Sequence, residues 1–254
     1  MTRIIAVANH KGGVAKTTTT YNLAGYYAAQ GKRVLTCDLD PQASLTKLFG
    51  INPKTIRPSL TELLVGINTP PASAIHATEI AGIDLIPASS ELAHAEKQLI
   101  ARMNRELTLA RTLRPIAEAY DIVLLDCPPA LDLLNTNGLA AADQVVVPLE
   151  SSTLAYQALP DFLRTVEDIQ REVNPALTFR GIVLTKHQAH TGHSQQVLAA
   201  VREQFPDKVF QAVIPLSVVA KDSAAASKPI FSFDPRSQVA EAYKNLAEEI
   251  MSNA

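Results

Sequence analysis

Only two cysteines, Cys37 and Cys127, occur among the 254 residues. With no CxxC spacing and no secretory h-region, they exclude a disulfide framework and favour a reducing cytoplasm. No apolar run approaches the roughly 20 residues needed to cross a bilayer. Basic charge is not in excess either: 23 Lys+Arg stand against 25 Asp+Glu, a formal net charge of -2. Any nucleic-acid binding must then come from a local patch. Internal repeats, low-complexity tracts and linkers are also missing. With 47% apolar and 19% charged residues, residues 1–254 read as a single packed domain.

What is present is alternation. Apolar runs at 3–8, 33–39, 83–88, 121–126, 144–149, 180–185 and 209–215 read as strands, separated by helical stretches such as 17–30, 89–101, 105–119, 153–172, 193–204 and 237–251. Strands that are apolar throughout imply an α/β fold: a mostly parallel twisted sheet with helices on both faces. Ligands of such sheets bind beyond the carboxyl ends of the strands. Residues 50–76, rich in Pro, Asn and Thr, read as a surface excursion with one short helix near 59–65.

Directly after the first strand stands "NHKGGVAKTTTT", residues 9–20. A loop leaving a buried strand and entering a helix offers backbone N–H groups and the positive end of the helix dipole to a phosphate chain. Gly12 and Gly13 let the backbone approach closely. Lys16 would place an ammonium on the β- and γ-phosphates of a nucleotide, and the Thr17 hydroxyl would ligate Mg²⁺. The ordinary pattern GxxxxGK[ST] is not met, because His10 and Ala15 stand where it has glycine. A methyl at Ala15 costs something if that backbone has positive φ, and it is expected to be tolerated.

The pattern KGGxxK[ST] instead resembles the deviant Walker A motif of the ParA/MinD family of ATPases, with Lys11 as its signature lysine. "CDLDPQ" (37–42) is similar to that family's switch I, which places Asp40 where the attacking water is oriented or activated. "YDIVLLDCPP" (120–129) resembles its Walker B strand and switch II, with Asp126 holding Mg²⁺ through the water shell. The resemblance implies a P-loop fold of the deviant Walker A type, ATP and Mg²⁺ as cofactors, and a nucleotide held by Lys11, Gly12, Gly13, Val14, Ala15, Lys16, Thr17, Thr18 and Pro215. Lys11, Lys16 and Asp40 would act in hydrolysis; Thr17, Asp40 and Asp126 would serve the metal. It further implies that Lys11 reaches the phosphates bound by a second protomer, an arginine-finger role delivered in trans across an ATP-sandwich homodimer.

Within the family, "NGLAAADQVVVPLE" (137–150) and "KPIFSFDPRSQVAEAYKNLAEEI" (228–250) are similar to Soj-like ParA proteins. The expected activity is then a cytoplasmic, nucleoid-associated positioning ATPase. It would bind DNA non-specifically when ATP-bound and be switched off through a ParB-like or other cargo adaptor. The first strand begins at residue 3, so no N-terminal helix-turn-helix domain is expected. A MinD-like membrane-attached ATPase is the less favoured branch, because "EAYKNLAEEIMSNA" carries three glutamates and one lysine where a basic amphipathic helix is needed. Cys37 and Cys127 flank the switch aspartates and read as buried thiols, unlike the cluster ligands of the nitrogenase iron-protein branch. A metabolic ATP-dependent ligase on the same loop is the alternative from another class.

After Pro215, where Soj-like proteins carry arginines, this chain has "LSVVAKDSAAASK". The candidate DNA-binding residues are therefore Lys221, Lys228 and Arg236. Lys97, Arg102, Arg105, Arg111 and Arg114 form a second basic cluster, with an ordinary solvated face as the competing reading for each residue. His187, His190 and His193 are spaced for a metal, yet no carboxylate or cysteine completes a site, so a polar loop is the expected reading.

Overall fold

A computed structural model describes residues 2–66 and 69–252. Five strands that read as wholly apolar form the centre of the sheet: β1 (Arg3–Val7), β2 (Val34–Asp38), β4 (Ile83–Ile86), β5 (Ile122–Asp126) and β6 (Gln144–Glu150). They are flanked by β7 (Thr178–His187) and β8 (Val209–Pro215) on one side and by the two-residue β3 (His76–Ala77) on the other. The order is β3-β4-β2-β5-β1-β6-β7-β8, and every pairing is parallel except β3 with β4. Such strands are buried on both faces because helices cover both. Ile4, Ala6, Leu35 and Val123 feed one core layer, and Ile5, Val34, Ile122 and Leu124 the other.

The helices are α1 (Lys16–Ala29), α2 (Ser44–Leu48), α3 (Leu60–Val65), α4 (Leu92–Leu99), α5 (Thr108–Ala117), α6 (Leu133–Ala141), α7 (Thr153–Glu172), α8 (Gly192–Gln204), α9 (Val218–Ala225), α10 (Ile230–Phe233) and α11 (Gln238–Met251). The expected excursion at 50–76 is more than surface. The Ser59 side chain accepts the Thr61 N–H, and Glu62 closes a capping box at the start of α3, which then buries Leu60, Leu63 and Leu64 in the core. Residues 67 and 68 of that stretch lie outside the described residues.

Register brings the chemistry to one edge. Val7 of β1 and Asp38 of β2 both pair with Asp126 of β5. The three strands therefore end level, and their following loops share one rim. β1 lies between β5 and β6, so the loop leaving it emerges at the rim's centre.

Candidate nucleotide site

The loop after β1 is fixed from both sides. Asn9 is buried; its Nδ2 donates to the Pro148 carbonyl at 2.8 Å while its Oδ1 accepts the Lys11 N–H at 3.0 Å. Further on, the Thr185 hydroxyl of β7 donates to the Val14 carbonyl at 3.0 Å. Between these anchors Gly13 adopts φ 77° and Ala15 adopts φ 67°. Ala15 is the N-cap residue of α1 and supplies no side-chain hydrogen bond to that helix. Its first N–H groups are thereby left for a ligand.

The left-handed alanine is the strain that the sequence made conditional on φ. Ala15→Gly relieves about 1 kcal/mol of steric cost, against roughly 0.5 kcal/mol for the freer unfolded chain. The urea midpoint without nucleotide should rise by a few tenths to about 1 kcal/mol equivalent, with m unchanged. A lower midpoint would show that the alanine is not strained.

Lys16 is 7% exposed, and its Nζ donates to the Lys11 carbonyl at 3.0 Å. Burial lowers its pKa, and the Asp126 charge pulls it back up. Asp126 is itself fully buried. One carboxylate oxygen accepts the Thr20 hydroxyl at 3.3 Å, while Oδ2 has no hydrogen-bond partner among the described residues. Burial first, then the Asp38 charge, raises its pKa; Thr17 and Lys16 oppose that. A buried carboxylate oxygen without a donor is expensive. Beside a threonine hydroxyl it has the chemistry of a hard divalent cation site, so the residues fit Mg²⁺.

The two aspartates of "CDLDPQ" divide their work. Asp38 is buried and accepts the Thr46 N–H at 2.8 Å, the Thr46 hydroxyl at 2.7 Å and the Asp40 N–H at 3.1 Å. It fixes the turn into α2. Asp40 is half-buried and accepts the Gln42 N–H at 2.8 Å; its charge raises the pKa of both Lys16 and Asp126, so it belongs to the same cluster. Lys11 is half-exposed, and its ammonium makes no hydrogen bond or ion pair among the described residues. Gly12 and Gly13 are exposed and Thr17 and Thr18 half-buried at the head of α1. Pro215, at the end of β8, lines a cleft with Ala15, Thr18, Lys186 and Lys221.

The more distant candidates separate. Lys221, Lys228 and Arg236 are all exposed. In the second basic cluster, Arg102 donates to the Leu64 and Val65 carbonyls. Arg105 bonds the Ile100 carbonyl and Glu106, and Arg114 lies 3.9 Å from Asp143. Arg102 thus ties its segment to the end of α3, Arg105 bonds locally and Arg114 makes a long, exposed ion pair, while Lys97 and Arg111 are exposed with no hydrogen bond or ion pair among the described residues. The histidines do not converge: His187 is buried, with Nδ1 3.1 Å from the Ser151 hydroxyl, whereas His190 and His193 are exposed. No group able to hold a metal through three His, Cys, Asp or Glu side chains occurs among the described residues. Cys37 and Cys127 are free and buried, and burial raises both thiol pKa values.

Asn9 and Asp38 lie inside the quoted motifs without a role assigned to them there, and Thr185 and Lys186 lie outside every motif. The only sequence signal for the last two is polar residues closing an apolar strand.

The AAA domain family matches residues 2–179. The chain is 40% identical over 253 residues to the sporulation initiation inhibitor protein Soj of Bacillus subtilis, covering 100% of both. It is 39% identical over 252 residues to the chromosome partitioning protein ParA of Caulobacter vibrioides, covering 98% of this chain and 94% of that one. A Mycobacterium smegmatis structure described as cobyrinic acid a,c-diamide synthase with bound ADP and magnesium superposes with a TM-score of 0.86 at 39% identity, covering 98% of this chain and 93% of that one. The ATP complex of a Cyanothece McdA variant shares the fold, with a TM-score of 0.90 at 24% identity over 100% of this chain and 98% of that one. With full-length identity of this order joined to the KGGxxK[ST] loop and the two aspartate strands that meet it, the chain belongs to the ParA/MinD family of ATPases.

Proposed function

We propose that the chain is a positioning ATPase that closes into an ATP-sandwich homodimer, binds nucleoid DNA without sequence preference in that state, and is released when a ParB-like or other cargo adaptor stimulates hydrolysis. The observation that carries this reading is Lys11. Its carbonyl receives Lys16 within the chain, yet its ammonium has no partner among the described residues, as expected of a lysine meant for another protomer's phosphates.

Within one site, the open N–H groups of the loop and α1 receive the phosphate chain, and Lys16 exchanges the Lys11 carbonyl for β- and γ-phosphate oxygens. The Asp126 Oδ2 and the Thr17 hydroxyl are the groups that would hold Mg²⁺, which supplies charge neutralisation when bound. Asp40 orients the water in line with the γ-phosphate; little covalent chemistry is left for the protein. Pro215 borders the cleft beside this site. Lys221, Lys228 and Arg236 would contact DNA phosphates, a weak set on each protomer that gains from being doubled.

The test is binding to unrelated DNA fragments with and without ATP. Wild type should bind only with ATP, and Asp40→Ala should keep ATP affinity and DNA binding while turnover falls about 10²- to 10⁴-fold. Normal turnover would leave Asp40 as a turn-forming carboxylate. The synthase name of the Mycobacterium relative carries the alternative, an ATP-dependent amide ligase. ATP-independent oligomeric state and no DNA binding, together with amide formation on a carboxylate substrate, would favour it.

A further inference from the structure

Lys186 is an unassigned cation beside the phosphate loop. Its neighbours are both clamped: Thr185 donates to the Val14 carbonyl of the loop at 3.0 Å, and the His187 carbonyl accepts the Leu216 N–H at 2.9 Å. Between them Lys186 adopts φ 49°, a left-handed conformation that a lysine tolerates only where its surroundings enforce it. A Cβ built on Gly13 would meet the Lys186 Nζ at 3.9 Å. The residue is half-buried, lines the cleft with Ala15, Thr18 and Pro215, and makes no ion pair or side-chain hydrogen bond among the described residues. An ammonium held against an N–H-rich loop without a counterion is arranged for an anion from outside the chain, since three donors with no acceptor suit phosphate oxygens.

We infer that Lys186 is a third phosphate-binding lysine of the nucleotide site, acting in cis. This rests on reading the loop as that site. Lys16 serves the β- and γ-phosphates, and Lys11 is delivered from the partner only after dimerisation. Lys186 belongs to the same chain and is present in the monomer, so it strengthens diphosphate and triphosphate binding alike. It sets how long ADP stays bound after hydrolysis.

The test is calorimetric titration of ADP and of a slowly hydrolysed ATP analogue into wild type, Lys186→Met, Lys186→Asn and Lys186→Arg. Asparagine accepts left-handed backbone, so one neutral variant keeps the local fold even if methionine disturbs it. Both neutral variants should lose on the order of tenfold affinity for ADP and for the analogue equally, and affinity should fall less steeply with salt. Lys186→Arg should recover most of the loss. Unchanged ADP affinity in both neutral variants, or a loss confined to the analogue, would overturn the inference while leaving the nucleotide site intact. Failure of wild type to bind either nucleotide would instead remove the site reading, and this inference with it.

Discussion

Lys16→Ala should lose ATP and ADP binding by a factor of about 10² to 10⁴ while the folded chain is unharmed. The loss follows from two charge-assisted hydrogen bonds to phosphate oxygens at roughly 1.5–3 kcal/mol each. The intact fold follows from what the ammonium does without ligand. It is buried, burial disfavours its charge, and a single carbonyl receives it. Removing it takes away a desolvated ammonium but also one of the charges that oppose the raised pKa of buried Asp126, so the two effects largely offset. The thermal midpoint without nucleotide should therefore change little, and the stabilisation that wild type gains from added ATP should vanish. If direct titration finds unchanged affinity, the loop does not hold phosphate. A variant that loses both binding and fold would show that Lys16 is structural.

The contrast between Lys16 and Ala15 shows what the sequence could carry. Strand-loop-helix order and the residue types of the loop are local properties, and all were legible. The conformation that makes Ala15 strained is also local but needs φ, so its cost was readable only as a condition. Helix α6 was missed for a different reason. Leu134, Asn135, Asn137, Gly138 and Leu139 are all buried, so no polar stripe marks a 3.6-residue period. Its tight seat appears only in three dimensions, where a Cβ on Gly138 would stand 2.7 Å from the Cys127 Sγ. Helix α9 escaped because its short Ala/Ser-rich stretch has no strong apolar face. Strand β7 reads as ending at 185 because Lys186 interrupts the apolar run, yet pairing with β8 carries it to His187. That two-residue extension sets Lys186 on the loop. In the basic cluster on and between α4 and α5, charge count alone does not reveal that Arg102 and Arg105 donate to backbone carbonyls. The carbonyls that receive Arg102 lie 37 and 38 residues away, and such partners leave no mark in local composition.

Lys11→Ala should bind ATP as a monomer and fail at everything that follows. The cradle that holds the nucleotide in one chain, from Gly12 through Lys16 and Thr17 with its anchors Asn9 and Thr185, is untouched, because Lys11 contributes to it only backbone groups. Affinity should change by less than about tenfold, whereas the ATP-dependent dimer, hydrolysis and DNA binding should all be lost. DNA binding falls with the dimer because phosphate contacts of one weak patch add as an effective concentration only when two patches are linked. Mixing Lys11→Ala with Asp40→Ala gives a stricter test. Each mixed dimer holds one intact Lys11 and one intact Asp40, in different protomers. If Lys11 acts across the interface, the Lys11 of the Asp40→Ala protomer serves the site that keeps its Asp40, and turnover returns to one of the two sites. If Lys11 acts within its own chain, every site lacks one of the two groups and no turnover returns, however many mixed dimers crosslinking detects. Normal ATP-dependent dimerisation by Lys11→Ala alone would defeat the trans assignment before any mixing.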